Sequence, residues 1–242
     1  MSTSADRPSA TGARERLLRA AFEIVRTKGY NATTVDDLCA AAGVSKGSFF
    51  HHFSSKEDLA IAAADHWSEV TGALFAAAPY HALPDARSRV LGYVDFRAAI
   101  LQGEVAAFTC LVGTLVQEVY ESSPAIREAC ARSIGGHAAL LEADIAQALA
   151  ESRHGQGVDA PGLALHTQAV LQGAFVLAKA HHDAAVAAAS IAHLHAYLDY
   201  LFEPAPAPKG VKVSRSSRAD PKTRRRRQAV GRDDRTHPRS IT

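Results

Sequence analysis

A short run of small and hydrogen-bonding side chains has the composition of a DNA-reading surface. It lies on one face of a predicted helix of about two turns, from Lys46 to about His52, which follows a tight turn at Gly43. The groups on this face are Ser45, Lys46, Gly47, Ser48, His51 and His52. Because none of them is a bulky aliphatic side chain, the helix can approach base edges, and its N-terminus offers free N–H groups to a phosphate.

Local signals in the sequence position this helix. Thr34 and Asp37 form a capping box that predicts a helix from Val35 to Ala42, and Ser45 caps the helix that follows. Gly43 supplies the positive φ that the intervening turn needs. Two short helices joined by a glycine turn have the pattern of a helix-turn-helix, whose second helix fits a major groove. A helix pair with a purely structural role is the alternative that the pattern leaves open.

The same stretch identifies a family. Residues 13–59, which include V-D-D-L-C-A-A-A-G-V-S-K-G-S-F-F-H-H-F, resemble the DNA-binding domain of TetR/AcrR-type transcriptional regulators. The resemblance implies a homodimer of subunits with about nine helices, which pair through their last two long helices. It also implies a double-stranded DNA operator as one partner and a small-molecule effector as another, with no enzymatic activity and no cofactor.

Carried over position by position, the resemblance assigns residues to the DNA contact. The groove-facing residues that it implies are Lys46, Gly47, Ser48, His51 and His52. Ser45 joins them because it lies on the same outward face. Thr34 and Lys56 look like the phosphate anchors of the family. Phe50 is a departure, because the family usually has a tyrosine there whose hydroxyl bonds a phosphate. We therefore expect weaker operator binding than a tyrosine would give.

Helical periodicity runs through almost the whole chain and predicts an all-α protein. The family resemblance implies that the head is a three-helix DNA-binding unit and that the remainder is a helical bundle. Long helices are predicted at 87–101, 105–121, 124–151, 161–181 and 183–202. The predicted organisation is a disordered arm at 1–11, a helix-turn-helix DNA-binding domain at 12–72, an effector-binding and dimerisation domain at 73–203, and a disordered basic tail at 204–242.

Charge is segregated along the chain. The net charge is +1 over residues 1–60, −8 over 61–203 and +9 over 204–242. An acidic middle repels DNA and favours recognition of something else, whereas the basic tail favours polyanions. The tail is interpreted as a weak tether to DNA, with a passive solubilising extension as the alternative. Removing it should lower non-specific DNA affinity and its dependence on salt.

Two stretches of the middle region are candidates for a small-molecule pocket. They contribute Phe108, Cys110 and Gln117 from one helix, and Gln172, Phe175 and Lys179 from another two helices later. For the apolar members, packing in a plain core is the alternative. The glutamines lie on otherwise apolar helices and would need hydrogen-bond partners if they were buried.

Cys110 and Lys179 also suggest a reactive site. Each lies in an apolar run, and an ammonium beside a thiol stabilises the thiolate that electrophiles attack. The segment A-F-T-C-L-V-G-T-L resembles the regulatory domain of the N-ethylmaleimide-repressor branch, which responds to reactive electrophiles. An inert cysteine and a lysine that snorkels to solvent are the alternative.

Several classes of protein are disfavoured. No apolar run is long enough to span a membrane, and the basic N-terminus lacks the apolar core of a signal peptide, so a cytoplasmic protein is expected. Three scattered cysteines do not form a disulfide framework, and no histidine pair has the spacing of metal ligands on a helix. No catalytic motif is present. The competing interpretation is an all-α small-molecule binding protein without specific DNA recognition, and an enzyme comes third.

Overall fold

In a computed structural model, which describes residues 12–206, the chain folds into α-helices joined by short connections. The helices are α1 (Ala13–Lys28), α2 (Val35–Ala42), α3 (Lys46–His52), α4 (Lys56–Ala76), α5 (Ala86–Ala99), α6 (Val105–Phe108), α7 (Leu111–Val119), α8 (Pro124–Ala139), α9 (Glu142–Glu151), α10 (Ala160–His181) and α11 (Ala184–Leu201). This confirms the predicted all-α class. The predicted arm at 1–11 and the tail beyond residue 206 lie outside the described residues.

The helix boundaries of the head follow the predicted signals. Thr34 and Asp37 form both halves of the capping box at α2, and the Ser45 hydroxyl accepts the Ser48 N–H at the start of α3. Gly43 ends α2 in the left-handed conformation, with φ 62° and ψ 43°. A residue with a Cβ would be strained there, so the turn depends on this glycine.

Two of the predicted long helices are divided. The segment at 105–121 breaks between α6 and α7, where Thr109 and Cys110 take extended conformations, and the segment at 124–151 breaks between α8 and α9. At the first break, the Arg26 guanidinium of α1 donates to the carbonyl oxygens of Ala107 (2.7 Å) and Thr109 (3.4 Å). Apolar residues continue across both breaks, so periodicity could not reveal them.

The head shares its core with the bundle. One apolar cluster joins side chains of α1 to α4, such as Leu17 and Leu38, with Leu111 and Leu115 of α7 and Ile126 of α8. A second cluster is formed mainly by α5 and α9 to α11. The predicted division at residues 72 and 73 falls inside α4, which packs against both α1 and α8. The two-domain division of this part therefore stays a prediction.

The C-terminal end of the described range is held in place. The Ala205 N–H donates to the Glu151 carbonyl (3.1 Å), and the Arg153 N–H donates to the Glu203 carbonyl (2.7 Å). Pro204 and Ala205 are thus paired with the chain at the end of α9, whereas the sequence predicted disorder from residue 204 onward. Within residues 12–206, no helix has both the length and the apolar composition that crossing a membrane requires.

Candidate DNA-binding interface and effector cavities

The polar edge of α3 faces outward because its apolar edge is packed. Phe49 and Phe53 are buried against the head, and Leu38 of α2 lies in the same core. The turn between the two helices is closed by the Val44 N–H, which donates to the Cys39 carbonyl (3.0 Å). These contacts fix the helix pair and leave the opposite side of α3 to solvent.

The predicted groove-facing residues lie together on that side. Ser45, Lys46, Gly47 and His51 are exposed, and Ser48 and His52 are partly exposed. A Cβ on Gly47 would meet only the Ser45 hydroxyl, at 3.7 Å, so the first turn of α3 is open to a close approach. The arrangement has the small, donor-rich surface that major-groove contact requires.

Lys46 has an acidic partner within the head. Its Nζ lies 2.8 Å from Oδ1 of Asp36 in α2, and both side chains are largely exposed. The hydrogen bond from this ammonium to Asp36 raises the pKa of Lys46. An exposed pair of this kind is weak and screened by salt, so a phosphate or a base edge can replace the carboxylate.

Thr34, one of the two predicted phosphate anchors, is already engaged. Its hydroxyl accepts the Asp37 N–H (3.1 Å) and donates to Asp37 Oδ2 (2.7 Å). Lys28 Nζ bonds the same carboxylate oxygen at 2.6 Å. Hydrogen bonds from Lys28 and Thr34 hold the pKa of Asp37 well below its ordinary value.

Lys56, the other predicted anchor, stabilises the head. Its Nζ donates to the carbonyl oxygens of Tyr30 (3.0 Å) and Thr33 (2.9 Å) and lies 4.2 Å from the centre of the Tyr30 ring. Burial lowers the pKa of Lys56. An ammonium has three N–H donors, so one remains for a phosphate. The structure therefore gives Lys56 a structural role that sequence reasoning did not identify.

Phe50 lies at the surface beside the recognition edge. Its side chain is 57% exposed, and its ring stands edge-on to Phe49 with the ring centres 5.1 Å apart. A phenyl ring has no hydroxyl to offer, so this position contributes apolar contact only.

The bundle encloses a cavity of about 220 Å³ between α7 and α10. Of the residues predicted from the sequence, its walls include Cys110, Gln117, Gln172, Phe175 and Lys179. Phe108, the remaining candidate, lines a neighbouring cavity of about 50 Å³ that shares Cys110, Gln172 and Phe175 with the first. The pocket residues that sequence reasoning selected are therefore brought together.

The polar groups of the larger cavity differ in how they are satisfied. Gln117 is exposed and donates to the Gly113 carbonyl (2.7 Å), and Lys179 donates to the Thr114 hydroxyl (2.8 Å). Gln172 approaches Gly113 so closely that a Cβ there would collide with its amide oxygen. The Thr109 hydroxyl is buried and has no hydrogen-bond partner within residues 12–206.

Cys110 begins α7 between two basic side chains. Burial lowers the pKa of both Arg26 and Lys179, and the charge of Cys110 acts in the opposite direction on each. The thiol is partly exposed in the cavity wall, whereas Cys39 and Cys130 are buried. Within residues 12–206, no group of three or more His, Cys, Asp or Glu side chains is arranged to hold a metal ion.

Comparison with known proteins decides the family. A family model described as bacterial regulatory proteins of the tetR family matches residues 17–63, and a second, a tetracycline-repressor-like C-terminal domain, matches residues 86–194. Together they cover more than half of the chain. The chain belongs to the TetR family. This family consists of DNA-binding transcriptional regulators rather than enzymes.

Curated relatives match a short part of the chain. The transcriptional regulator AcuR of Cereibacter sphaeroides is 44% identical over 55 residues, which are 23% of this chain and 25% of that protein. The repressor KstR2 of Rhodococcus jostii is 43% identical over 54 residues, which are 22% of this chain and 26% of that protein. The chain thus matches about a quarter of the length of these relatives.

Solved structures share the fold over about three quarters of this chain. A regulator from Chloroflexus aurantiacus is 26% identical with a TM-score of 0.67, and the match covers 77% of this chain and 93% of that one. The reduced form of NemR from Escherichia coli is 23% identical with a TM-score of 0.65, covering 75% and 94%. These likenesses establish the TetR-type fold of the bundle as well as of the head.

Within this TetR-type fold, polar contacts link the bundle to the head. The Glu118 carboxylate of α7 accepts the backbone N–H groups of Tyr30 (2.9 Å) and Asn31 (2.8 Å), just before α2. The Ser123 hydroxyl donates to Glu57 of α4. Together with the Arg26 bonds at the α6–α7 break, these contacts join the head directly to α7. Since α7 forms one wall of the larger cavity, only this helix separates the cavity from the head.

Sequence reasoning missed three residues of the smaller cavity. They are Arg97 of α5, His137 of α8 and Trp67 of α4, which line it together with Gln168 of α10. Nothing in the local sequence separates Arg97 from an ordinary surface arginine. Gln168 gave a signal, because a glutamine on an otherwise apolar helix needs a partner when it is buried.

Proposed function

We propose that this TetR-family chain is a repressor that binds a palindromic operator as a homodimer and releases it when an effector acts on the bundle. The observation that carries the proposal is the open edge of α3, held outward by a buried apolar edge. Its groove contacts are assigned to Ser45, Lys46, Gly47, Ser48, His51 and His52. Thr34 and the remaining N–H of Lys56 are assigned to the flanking phosphates, and Phe50 lies beside them without a hydrogen bond to offer.

The dimer is proposed to form through α10 and α11. These helices pack against each other and still expose large apolar side chains to solvent. The exposed side chains are Leu165, Val176, Leu177, Tyr197 and Tyr200. Apolar groups gathered on one helix pair favour burial by a partner, and a second copy offers the same surface. Two heads related by a two-fold axis then meet half-sites one helical repeat, or a multiple of it, apart.

The effector response is proposed to travel through the α6–α7 break. A ligand between α7 and α10 changes the position of α7, and the Glu118 and Arg26 contacts transmit that change to the start of α2 and to α1. The effector regulates DNA binding only if it has different affinities for the two head spacings. Access to DNA requires a cytoplasmic protein.

Cys110 is the proposed site for electrophilic effectors. With N-ethylmaleimide, a bond forms between its Sγ and an alkene carbon, and the thiol proton ends on the neighbouring carbon. Arg26 and Lys179 are basic groups that interact with this thiol. The other thiols are poor competitors, because burial raises the pKa of Cys39 and raises that of Cys130 to about 12.

The test of the cysteine compares operator release by N-ethylmaleimide in the wild type and in Cys110→Ser. A Cys39→Ala and Cys130→Ala double variant is the control, and it should respond like the wild type. We expect Cys110→Ser to keep its operator bound. Equal release from the wild type and Cys110→Ser would remove this residue as the sensor.

The test of DNA recognition is an electrophoretic shift with the DNA upstream of the protein's own gene. We expect a complex that survives an excess of random competitor duplex. Loss of the complex in competitor would instead favour an all-α small-molecule binding protein, an alternative that the two cavities support.

A further inference from the structure

The smaller cavity is bordered by a connected group of hydrogen-bond donors. Arg97 Nε donates to the Tyr93 hydroxyl (2.9 Å), and Arg97 Nη2 donates to His137 Nε2 (2.7 Å). Gln168 Nε2 donates to the same hydroxyl (3.0 Å), which itself lies 3.1 Å from His137 Nε2. The Tyr93 hydroxyl oxygen and His137 Nε2 are therefore both occupied by members of the group.

Donors remain in excess in this group. A guanidinium has five N–H donors, and Arg97 uses two of them on Tyr93 and His137. His137 does not add an acceptor for them, because its Nε2 is already shared. Gln168 has a second amide N–H beyond the one it gives to Tyr93. A ligand that offers only hydrogen-bond acceptors would satisfy these remaining N–H donors.

The charge of Arg97 has no acidic partner. Within residues 12–206, no carboxylate forms an ion pair with it, whereas the neighbouring Arg87 and Arg89 pair with Asp199 and Asp144. Burial and the charge of Arg97 lower the pKa of His137 to about 3, so the imidazole is neutral. None of the side chains that line the smaller cavity is acidic. The Arg97 guanidinium lies over the rings of Phe75 (4.2 Å) and Tyr93 (5.3 Å), which offset part of its burial. A half-buried cation without a carboxylate is still costly, and an anion would offset the rest of that cost.

We propose that this cavity binds the acid group of a small organic carboxylate, held at Arg97, with the apolar body of the ligand against Trp67, Phe108 and Phe175. The inference rests on the proposed function, because it names the chemical class of the effector. The cavity is lined by a single cation and by aromatic and aliphatic side chains. That lining suits a monocarboxylate and not a polyphosphate or a nucleotide, which would need several cations.

The two cavities share part of their walls. Cys110, Gln172 and Phe175 belong to both, so a ligand at Arg97 contacts the side chains that separate them. The carboxylate site thereby acts on the same α6–α7 break as Cys110, through contact and without covalent chemistry.

The experiment measures binding by calorimetry with the full-length protein. The probes are benzoate, phenylacetate and 4-phenylbutyrate, each paired with its neutral amide of nearly equal shape. We expect at least one acid to bind about 10- to 100-fold more tightly than its amide, as for a charge-assisted hydrogen bond. Arg97→Gln should remove the difference, and Arg97→Lys should keep part of it. Arg132→Gln, at an exposed arginine of α8, is the matched control and should bind like the wild type.

The proposal is overturned if no acid binds more tightly than its amide, or if the difference survives in Arg97→Gln. Melting curves check that the variants fold. If Arg97→Gln does not fold, the test is Arg97→Lys, and an acid–amide difference as large as in the wild type would then overturn the proposal. Operator binding, measured in the absence of acid, distinguishes failure of this inference from failure of the proposed function. A protein that selects its operator but not the acids refutes only the inference, and one that selects the acids but no DNA refutes only the repressor.

Discussion

The DNA-reading edge and the effector cavities are assembled in opposite ways. The edge consists of one short helix and its cap, and its groups lie within seven helical residues and the serine before them. The smaller cavity takes its side chains from α4, α5, α6, α7, α8 and α10. A surface built locally is fixed by caps and turns, whereas a cavity depends on how distant helices pack. The DNA-reading edge can therefore be predicted from the sequence, whereas the cavities can be predicted only in part.

The two regions also differ in how they carry charge. In the head, the Lys46–Asp36 and Lys28–Asp37 pairs are exposed and can be exchanged for contacts with DNA. In the bundle, Arg97 and His137 are partly withdrawn from water and are joined by direct hydrogen bonds. Changes on the exposed edge of α3 should therefore alter binding at little cost in stability, and changes in the Arg97–His137 group should alter stability and response.

The largest effect is expected from Gly47→Glu, which would break the function of the head alone. The position is open, and a carboxylate in the first turn of a helix is favourable, so the melting temperature should not fall. The same carboxylate meets the phosphates and base edges, and operator affinity should drop by about 100-fold or more. Gly136→Glu, at an open and exposed site of α8, is the control and should leave affinity unchanged.

The second prediction concerns the bundle, where His137→Asn should change the pH dependence of stability. The pKa of His137 is about 3 in the folded chain and lies near its ordinary value of 6.5 in the unfolded one. Between these values only the unfolded chain takes up the proton, so stability falls as the pH drops below about 6.5. The slope from one such group is at most about 1.4 kcal/mol per pH unit.

Denaturant unfolding between pH 7 and pH 4 measures this slope. His137→Asn should flatten it, and His51→Asn on the exposed face of α3 should keep the wild-type slope. If both variants lose the same part of the slope, the contrast between a buried network and an exposed edge is wrong.

The third prediction tests the link between the regions. Glu118→Gln weakens the two hydrogen bonds to the backbone N–H groups of Tyr30 and Asn31 and should lower the free energy of unfolding by about 1 to 2 kcal/mol. It should also reduce the loss of operator affinity that N-ethylmaleimide causes. Glu121→Gln, at the exposed position just beyond α7, is the control. A full response to N-ethylmaleimide in Glu118→Gln would exclude this contact from the route.

The smallest effect is expected from Phe50→Tyr, which sharpens the description of the head. A hydroxyl at this exposed position adds one hydrogen bond to a phosphate, worth about 0.5 to 1.5 kcal/mol, or about two- to twelvefold in operator affinity. Tyr120→Phe removes a hydroxyl from an exposed tyrosine beyond α7 and should leave operator affinity unchanged. Affinity that does not rise in Phe50→Tyr would contradict a phosphate contact at this position.

The sequence predicted the head closely because its signals are local. The capping box at Thr34, the left-handed Gly43 and the cap at Ser45 each depend on residues within one helical turn. The role of Lys56 was not predicted, because its bonds to the Tyr30 and Thr33 carbonyls cross more than twenty positions of the chain. A lysine at the start of a helix looks the same whether it faces a phosphate or a carbonyl.

The bundle was predicted in composition more than in geometry. Cys110, Gln172, Phe175 and Lys179 were selected by chemistry, as unusual groups in apolar runs, and they do line one cavity. The break at Cys110 was missed because hydrophobic periodicity continues across it. Arg97 was missed because its significance lies in the absence of a carboxylate near it among the described residues, and only packing reveals that.

The most direct test of the account is selection of bound duplexes from a random pool by the purified full-length protein. The account predicts enrichment of an inverted repeat whose half-site centres are about 10 base pairs, or a multiple of that, apart. The same selection with Gly47→Glu should yield no enriched sequence. A wild-type protein that enriches no sequence, or only a single unrepeated one, would contradict the outward recognition edge of α3 acting in pairs.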